Sequence, residues 1–136
     1  MWKYKGSPVS EPPIGYCGFV YLITNKVNDR KYIGKKIFNN KKKLKPLKNQ
    51  KRRRITYKDS GWADYWGSSD ELLSDISKYG PENFEREVLW FCVSKSQMTY
   101  LEAKEQFSRE VLESDKYYNN WIACKIRKSN IRKLDD

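Results

Sequence analysis

Two neighbouring segments, FVYLIT at Phe19–Thr24 and KYIGKKI at Lys31–Ile37, decide the fold that this 136-residue sequence predicts. Both segments are rich in β-branched and aromatic residues, which is typical of strands. The stretch between them contains Asn28-Asp29, a pair that favours tight turns. The sequence therefore predicts two antiparallel strands joined as a β-hairpin.

Downstream of the hairpin, the sequence predicts a helix, a third strand and a second helix over residues 67–80, 84–92 and 96–112. Ser68 and Ser94 are each followed three residues later by Glu or Gln, which is the spacing of a capping box at a helix start. The apolar positions of both helices recur at helical spacing. This order predicts a small α+β domain with a three-stranded antiparallel sheet flanked by helices.

The composition around these elements suggests one domain with two appendages. Residues 1–17 are rich in proline and glycine, so we expect an extended N-terminal arm. The domain itself is expected over residues 18–128, followed by a charged, frayed tail over 129–136. Neither a signal peptide nor an apolar run of membrane length is present, so we expect a cytoplasmic protein.

The positive charge is concentrated in one internal segment. Residues 35–58 hold 12 lysines and arginines and no acidic residue, whereas the rest of the chain holds 16 basic and 17 acidic residues. The whole net charge of +11 therefore arises from this segment, which we expect to form a loop or a loop with one short helical turn. A solvated face is one interpretation, but such a block repels itself unless a polyanion is near, and no membrane-binding signal accompanies it. Nucleic acid is the expected partner, bound with a steep salt dependence.

The absence of histidine limits the chemistry available to this chain. It excludes Ser-His-Asp and Cys-His triads, zinc sites with histidine ligands, and nucleases whose general base is an imidazole. The three cysteines, Cys17, Cys92 and Cys124, are widely spaced and form no CxxC pair, which argues against a zinc ribbon or a disulfide framework. Acid–base catalysis must therefore use Tyr, Lys, Glu or Asp.

Two tyrosines of the predicted hairpin, Tyr21 and Tyr32, are candidates for this chemistry, although strand tyrosines are commonly packing residues. Gly34 at the strand end lets a phosphodiester approach the backbone closely. Lys35 lies three residues beyond Tyr32, and a nearby ammonium lowers the pKa of a phenol from its usual value of about 10. Three aromatic residues beyond the basic segment either stack on bases or pack as a lid on the sheet: Trp62, Tyr65 and Trp66.

The order of these motifs resembles the GIY-YIG nuclease family, in particular its phage and homing-type (Seg-like) members. The matching segments are Phe19–Asn25, Lys31–Lys36, Tyr65–Ser69, Asp75–Gly80, Glu82–Phe84, Tyr100–Ala103 and Tyr118–Asn119. The resemblance covers about residues 18–125. It implies the small GIY-YIG-type fold, hydrolysis of DNA with Mg²⁺ or Mn²⁺, and a phage or mobile-element source.

The resemblance also implies roles for individual residues. The implied catalytic residues are Tyr21, Tyr32, Lys35, Glu102 and Asn119. Phe19 stands where the first motif has glycine, whereas Tyr32 and Gly34 match the second motif fully. Lys35 matches a lysine of the nucleotide-excision members, and Glu102 matches the helical glutamate that binds the divalent metal. Asn119 matches an asparagine near the end of the domain, although an Asn-Asn pair equally suits a turn.

Members of the family also use an arginine shortly after the second motif, and no arginine occupies residues 39–50. The basic residues that could fill this role are Lys36, Lys42, Arg52, Arg53, Arg54 and Arg86. The residues expected to contact DNA are Lys36, Lys41, Lys42, Lys43, Lys51, Arg52, Arg53 and Arg54.

Two glutamates of the second predicted helix compete for the metal. On a helical wheel Glu105 falls inside the apolar stripe, whereas Glu102 falls just beyond its edge, where a surface charge is the ordinary outcome. The resemblance favours Glu102. A single carboxylate can hold Mg²⁺ because this ion keeps several waters and takes phosphate oxygens as ligands.

The sequence thus predicts a metal-dependent endonuclease in which Tyr21 or Tyr32 deprotonates the attacking water. Double-stranded DNA is the expected substrate, bound by a monomer or a transient dimer, in the host cytoplasm if the protein is phage-encoded. Two other classes remain open. One is a non-catalytic nucleic-acid-binding protein that uses the basic segment as a clamp, and the other is a small RNA-binding protein of ribosomal type.

Overall fold

The computed structural model describes residues 1–131 of the chain. The strands are β1 (Lys3–Tyr4), β2 (Ser7–Pro8), β3 (Gly18–Asn25), β4 (Lys31–Ile37), β5 (Asn39–Leu44), β6 (Arg54–Asp59) and β7 (Phe84–Cys92). The helices are α1 (Asp70–Tyr79), α2 (Lys95–Ser108) and the short α3 (Lys128–Ile131). Within this described range, no helix combines the length and apolar character needed to cross a bilayer. The predicted α+β class is confirmed, and part of the predicted tail, residues 132–136, lies outside the described residues.

The main sheet has five strands in the order β2-β1-β7-β3-β4, and it is mixed. β3 pairs antiparallel with both β4 and β7, so the three predicted strands are present. However, β1 runs parallel to β7 and antiparallel to β2. The prediction of a three-stranded antiparallel sheet was therefore wrong. Two-residue strands are too short to show the alternation that identifies a strand, and the prolines of the arm favoured a non-strand interpretation.

Trp2 explains why the N-terminal arm joins the sheet. Its ring is buried, and the ring centroid lies 5.0 Å from that of Phe19 and 5.0 Å from that of Tyr21. Its indole N–H donates a hydrogen bond of 2.7 Å to the carbonyl of Trp62. A buried indole removes a large apolar area from water and satisfies its one polar group, so this residue holds the arm against the core.

The basic segment forms a two-stranded antiparallel ribbon, β5–β6, where the sequence analysis expected a loop. The prediction of a loop was wrong because a run of lysines and arginines shows no apolar–polar alternation, which is the usual signal for a strand. The ribbon strands pair with each other and form a sheet separate from the main one. Nearly all of their residues are exposed.

The helices α1 and α2 each begin with a capping serine, which is the residue type that the sequence predicted. Ser94 accepts a hydrogen bond from the Gln97 amide, which confirms the predicted cap of α2. In α1 the capping residue is Ser69 rather than Ser68. The helix α2 ends at Ser108 instead of continuing to residue 112, because Glu110 takes a positive φ of 54° that a helix cannot include.

The main sheet is covered on both faces, so its central strand β3 is buried along nearly its whole length. On one face, Phe19, Tyr21 and Ile23 pack against α1 and Trp62. On the other face, Val20 and Leu22 pack against α2. Strand β4 lies at the edge of the sheet, and on its outer side an isolated parallel bridge joins Lys31 to Tyr117. The rest of this edge is open and positions the candidate site.

Candidate active site

A cavity of about 650 Å³ lies beside the edge strand β4. All five residues that the sequence analysis named as catalytic line it: Tyr21, Tyr32, Lys35, Glu102 and Asn119. They come from β3, β4, α2 and the segment that follows α2, so the fold brings together side chains up to 98 positions apart in the sequence. The exposed Trp121 and the first turn of α1 also line this cavity.

The two tyrosines lie on the same face of the hairpin, since Ile23 is opposite Tyr32 and Tyr21 is opposite Gly34. Their ring centroids are 6.2 Å apart. Tyr21 is only 1% exposed, whereas Tyr32 is half-buried and its hydroxyl lies 3.3 Å from the Ser68 hydroxyl. Tyr32 is therefore the phenol that is more accessible from the cavity.

The pKa values of both phenols are shifted upwards, against the expectation from the sequence. Burial is the largest cause for each, and it raises the pKa of Tyr21 well above its usual value. The charge of Glu102 raises the pKa of Tyr32 further, while the hydrogen bond with Ser68 opposes this effect. The prediction that Lys35 lowers a tyrosine pKa was wrong because residues three apart on a strand point to opposite faces.

Lys35 instead interacts with α2. Its ammonium donates a 2.9 Å hydrogen bond to the Thr99 hydroxyl and lies 3.8 Å from a carboxylate oxygen of Glu102. The Glu102 side chain is 15% exposed, and burial raises its pKa while the Lys35 charge opposes that shift. The cavity thus holds a desolvated carboxylate with an ammonium beside it.

Glu105, the competing glutamate, belongs to a different environment and does not line the cavity. Its carboxylate accepts hydrogen bonds from the Trp90 indole at 2.8 Å and from Arg109 at 2.9 Å. Burial alone would raise its pKa, but these hydrogen bonds outweigh burial and lower it. Glu105 is fully engaged in holding α2 to β7 and Arg109, which leaves Glu102 as the α2 glutamate that lines the cavity, together with Asp70 and Glu71 from the first turn of α1.

Asn119 closes the open edge of β4. Its side-chain oxygen accepts a 3.0 Å hydrogen bond from the Ile33 amide, and its NH₂ group donates a 2.8 Å hydrogen bond to the Ile33 carbonyl. The amide side chain therefore takes the place of a neighbouring strand. It satisfies the Ile33 amide at the sheet edge and shares the Ile33 carbonyl with the Gln106 side chain, which donates a 3.3 Å hydrogen bond to it.

Gly34 is required by the packing of Tyr21. A Cβ built on Gly34 would overlap the Tyr21 hydroxyl oxygen and would lie 2.5 Å from the Tyr21 Cζ atom. We expect Gly34→Ala to lower the free energy of unfolding by about 2 kcal/mol and to displace this tyrosine. Urea denaturation measures the loss. In a Tyr21→Ala background the same change should be nearly neutral, because the atoms that it would meet are gone; an undiminished loss would contradict this explanation.

The basic residues named as substitutes for the family arginine lie in different places. The Lys36 ammonium lies over the Tyr65 ring at the cavity wall, with its nitrogen 4.2 Å from the ring centroid. Lys42 and Arg54 lie on the ribbon strands, and Arg52 and Arg53 lie in the loop between them. Arg86 is 6% exposed, with its guanidinium over the rings of both Trp2 and Trp66. Burial excludes Arg86 from a direct contact with phosphate.

We expect Arg86→Lys to reduce stability by about 2–3 kcal/mol, because a single ammonium cannot replace the flat guanidinium between two indoles. Arg86 also donates hydrogen bonds of 3.1 and 2.8 Å to the carbonyls of Ala63 and Tyr65. Thermal unfolding tests the expectation, with Arg54→Lys on the exposed ribbon as the matched control. Equal stability of the two variants would show that Arg86 is not a structural residue.

Arg30 is a residue of the site region that no sequence pattern indicated. Its guanidinium lies 2.6 Å from a carboxylate oxygen of Glu71 and 4.1 Å over the Tyr118 ring. This contact joins the hairpin turn to α1 at the cavity wall. The only local signal was an arginine directly before the second motif, and its partners are 41 and 88 positions away in the sequence.

The residues present fit a single-ligand divalent metal site. Among the described residues, no group of three or more His, Cys, Asp or Glu side chains comes together, so Glu102 would be the main protein ligand. A hard cation such as Mg²⁺ prefers carboxylate oxygen and keeps several waters. A carboxylate that is 15% exposed, lies 3.8 Å from the Lys35 ammonium and lines a cavity of about 650 Å³ would suit such an ion.

Comparison with known proteins agrees with the geometry. Residues 2–122 match the family model described as "Putative endonuclease segE, GIY-YIG domain". No curated protein and no solved structure matches the chain. The matched range contains both hairpin tyrosines, Glu102 and Asn119, together with the N-terminal arm. The chain therefore belongs to the GIY-YIG endonuclease domain family, of the segE type.

Proposed function

We propose that this protein is a divalent-metal-dependent endonuclease that hydrolyses phosphodiester bonds of double-stranded DNA. The observation that carries the proposal is the meeting of Tyr32, Lys35 and Glu102 in one cavity of about 650 Å³. A phenol, an ammonium and a carboxylate supply a base, a positive charge and a metal ligand without histidine. The endonuclease family implies a nucleic-acid substrate, and the basic ribbon supports a polyanion.

Tyr32 is the better candidate for the general base. It is the less buried of the two phenols, and its hydroxyl is oriented at the cavity by Ser68. In the proposed reaction, the phenolate form of Tyr32 accepts a proton from the water that attacks phosphorus, while the bond from phosphorus to the leaving oxygen breaks and that oxygen takes up a proton from solvent. Because the pKa of Tyr32 is raised by burial, this form is the minor one at neutral pH, and cleavage is expected to become faster as the pH rises. Tyr21 supports this arrangement from beneath, since its buried ring packs against that of Tyr32.

Glu102 would hold the metal ion, Mg²⁺ or Mn²⁺. When bound, such an ion stabilises the charge that develops on the phosphate and on the leaving oxygen. Lys35 orients the Glu102 carboxylate and adds a positive charge beside the scissile phosphate. Asn119 acts through the backbone, because both of its hydrogen bonds hold the strand that carries Tyr32 and Lys35.

The ribbon and its loop would neutralise the phosphates that flank the cut. The proposed contacts are Lys36, Lys41, Lys42, Lys43, Lys51, Arg52, Arg53 and Arg54. Contacts of this kind give an affinity that falls steeply with salt concentration. Since these side chains meet in one cavity of residues 1–131, a monomer would nick one strand, and cleavage of both strands would require two molecules to meet on the duplex.

Incubation of supercoiled plasmid with the purified protein tests the proposal. We expect conversion to relaxed circles in Mg²⁺ or Mn²⁺ and none in excess EDTA. Cleavage that persists in EDTA would refute the metal dependence. Tight plasmid binding with no cleavage under any divalent ion would favour a non-catalytic nucleic-acid-binding protein.

A further inference from the structure

The two-stranded ribbon β5–β6 and its loop carry a high density of positive charge. Between residues 39 and 59 there are ten lysines and arginines and a single acidic residue, Asp59. The Asp59 carboxylate accepts a 2.7 Å hydrogen bond from the Gly61 amide, so it is used in the turn at the base of the ribbon. The ribbon strands are not covered by the body of the domain, and a partner of negative charge is needed to offset their mutual repulsion.

The dimensions of the ribbon match one groove of duplex DNA. Each strand has six residues, a length of about 20 Å. The major groove, about 12 Å wide, admits a two-stranded β-ribbon, whereas the minor groove is only about 6 Å wide. A ribbon of this kind can therefore lie along the major groove but not along an undistorted minor groove.

The pairing register divides the ribbon side chains between two unlike faces, because residues directly opposite each other share a face. One face is formed by the pairs Asn40–Lys58, Lys42–Thr56 and Leu44–Arg54. The other is formed by the pairs Asn39–Asp59, Lys41–Tyr57 and Lys43–Ile55. We call the first the polar face and the second the mixed face.

The polar face has the chemistry that recognises base edges. It carries guanidinium, ammonium, amide and hydroxyl groups, which pair with guanine, adenine and thymine edges in the major groove. It carries no carboxylate, and its one apolar side chain, Leu44, is half-buried at the end of β5. The mixed face contains Asp59, which phosphate repels, and two exposed apolar side chains, Ile55 and Tyr57, the latter 67% exposed. The polar face is therefore the one that suits the floor of the groove.

The base of the ribbon is held firmly beside the cavity. Phe38 precedes β5 and is buried, and its amide donates a 2.9 Å hydrogen bond to the Cys17 carbonyl. Ser60 follows β6 and donates to the carbonyls of Phe38 and Ile37 through its amide and its hydroxyl. The chain enters the ribbon from β4, which carries Tyr32 and Lys35, and leaves it towards Tyr65, so both ends of the ribbon join cavity walls.

We propose that the β5–β6 ribbon inserts into the major groove of duplex DNA with its polar face against the base edges, and so places a phosphate of the flanking backbone at the cavity. This inference rests on duplex DNA as the substrate of the proposed function. It gives the polar face and the mixed face different roles, whereas the positive charge of the segment predicts DNA binding without distinguishing the two faces.

Two double variants test the assignment of the faces, in a Glu102→Gln background that keeps the DNA intact. Lys42→Ala with Arg54→Ala removes two charges from the polar face, and Lys41→Ala with Lys43→Ala removes two charges from the mixed face. Affinity for a random-sequence duplex is measured by fluorescence anisotropy at one salt concentration. Because the lost charge is matched, we expect the polar-face variant to lose at least about tenfold more affinity, equivalent to one base contact. Equal losses would overturn the assignment of the polar face.

Competition with groove-binding dyes tests the groove itself. Methyl green, which occupies the major groove, should displace the Glu102→Gln protein from the duplex, whereas netropsin, a minor-groove ligand, should not. Displacement by netropsin alone would overturn the inference. Because these are binding measurements, they are separable from the proposed activity. Absence of cleavage by the wild-type protein would refute the nuclease but leave the groove result standing. If the same two pairs of substitutions, made in the protein that keeps Glu102, leave cleavage unchanged, only the role of the ribbon is refuted.

Discussion

Glu102→Ala is expected to reduce plasmid cleavage by at least about 10³-fold while DNA binding stays within about twofold of wild type. A metal ion contributes several kcal/mol of charge stabilisation in the transition state, and about 4 kcal/mol corresponds to this factor. In the proposed function, binding depends mainly on the ribbon, which this substitution does not touch. Single-turnover cleavage and anisotropy measure the two quantities separately.

The stability of the Glu102→Ala protein gives a second readout. Because burial raises the pKa of Glu102, its ionised form is less favourable in the folded protein than in the unfolded chain. At neutral pH the variant should therefore unfold at the same temperature as wild type or at a higher one. A large drop in melting temperature would mean that Glu102 is a structural residue, and the lost activity would then reflect unfolding.

Glu105→Ala is the matched control, since it removes the same chemical group three positions along the same helix. Its carboxylate is hydrogen-bonded to Trp90 and Arg109, outside the cavity. We expect this variant to lose stability but to keep cleavage within about threefold when it is assayed below its melting temperature. The reverse pattern, with Glu105 essential and Glu102 dispensable, would exchange the roles of the two glutamates.

Tyr32→Phe is expected to slow cleavage by about 10²- to 10⁴-fold, which is the range for loss of a positioned general base. The ring stays in place against Tyr21, so the fold should be preserved; only the hydroxyl near Ser68 is lost. Rates under saturating DNA separate this effect from any change in binding.

Two further tyrosine variants complete this test. Tyr79→Phe removes a hydroxyl from a half-buried ring outside the cavity and should leave the rate unchanged. Tyr21→Phe should have an effect smaller than that of Tyr32→Phe, because the Tyr21 hydroxyl is buried and engaged with Tyr65. If Tyr21→Phe abolishes cleavage and Tyr32→Phe does not, Tyr21 is the base.

Several parts of the site were predictable because local patterns encode them. The two tyrosines lie on strands joined by a short turn, so once the hairpin is recognised their approach follows from the ladder register. The helical glutamate was harder. The helical wheel placed Glu102 at a stripe edge without deciding its role, and the resemblance to the nuclease family selected it over Glu105.

Other parts of the fold were not predictable from local patterns. The strands β1 and β2 are too short to show periodicity, and a uniformly basic ribbon shows no apolar alternation. Glu110 with its positive φ ends α2 early, although the apolar residues Val111 and Leu112 continue the sequence pattern of a helix. In each case the periodicity of apolar residues in the sequence does not predict the backbone conformation that the structure shows.

The sequence by itself determined the central hairpin, the two helices, the paired phenols and the location of the positive charge. These features depend on strand and helix periods, turn residues and composition, which act between near neighbours in the chain. Only the tertiary structure decided that Lys35 pairs with Glu102 instead of a tyrosine, and that Asn119 completes the edge of β4. It also decided that Arg86 is buried between two tryptophans. Such partners lie tens of residues apart in the sequence, and the energies of their contacts depend on distance and burial, which exist only once the chain has folded.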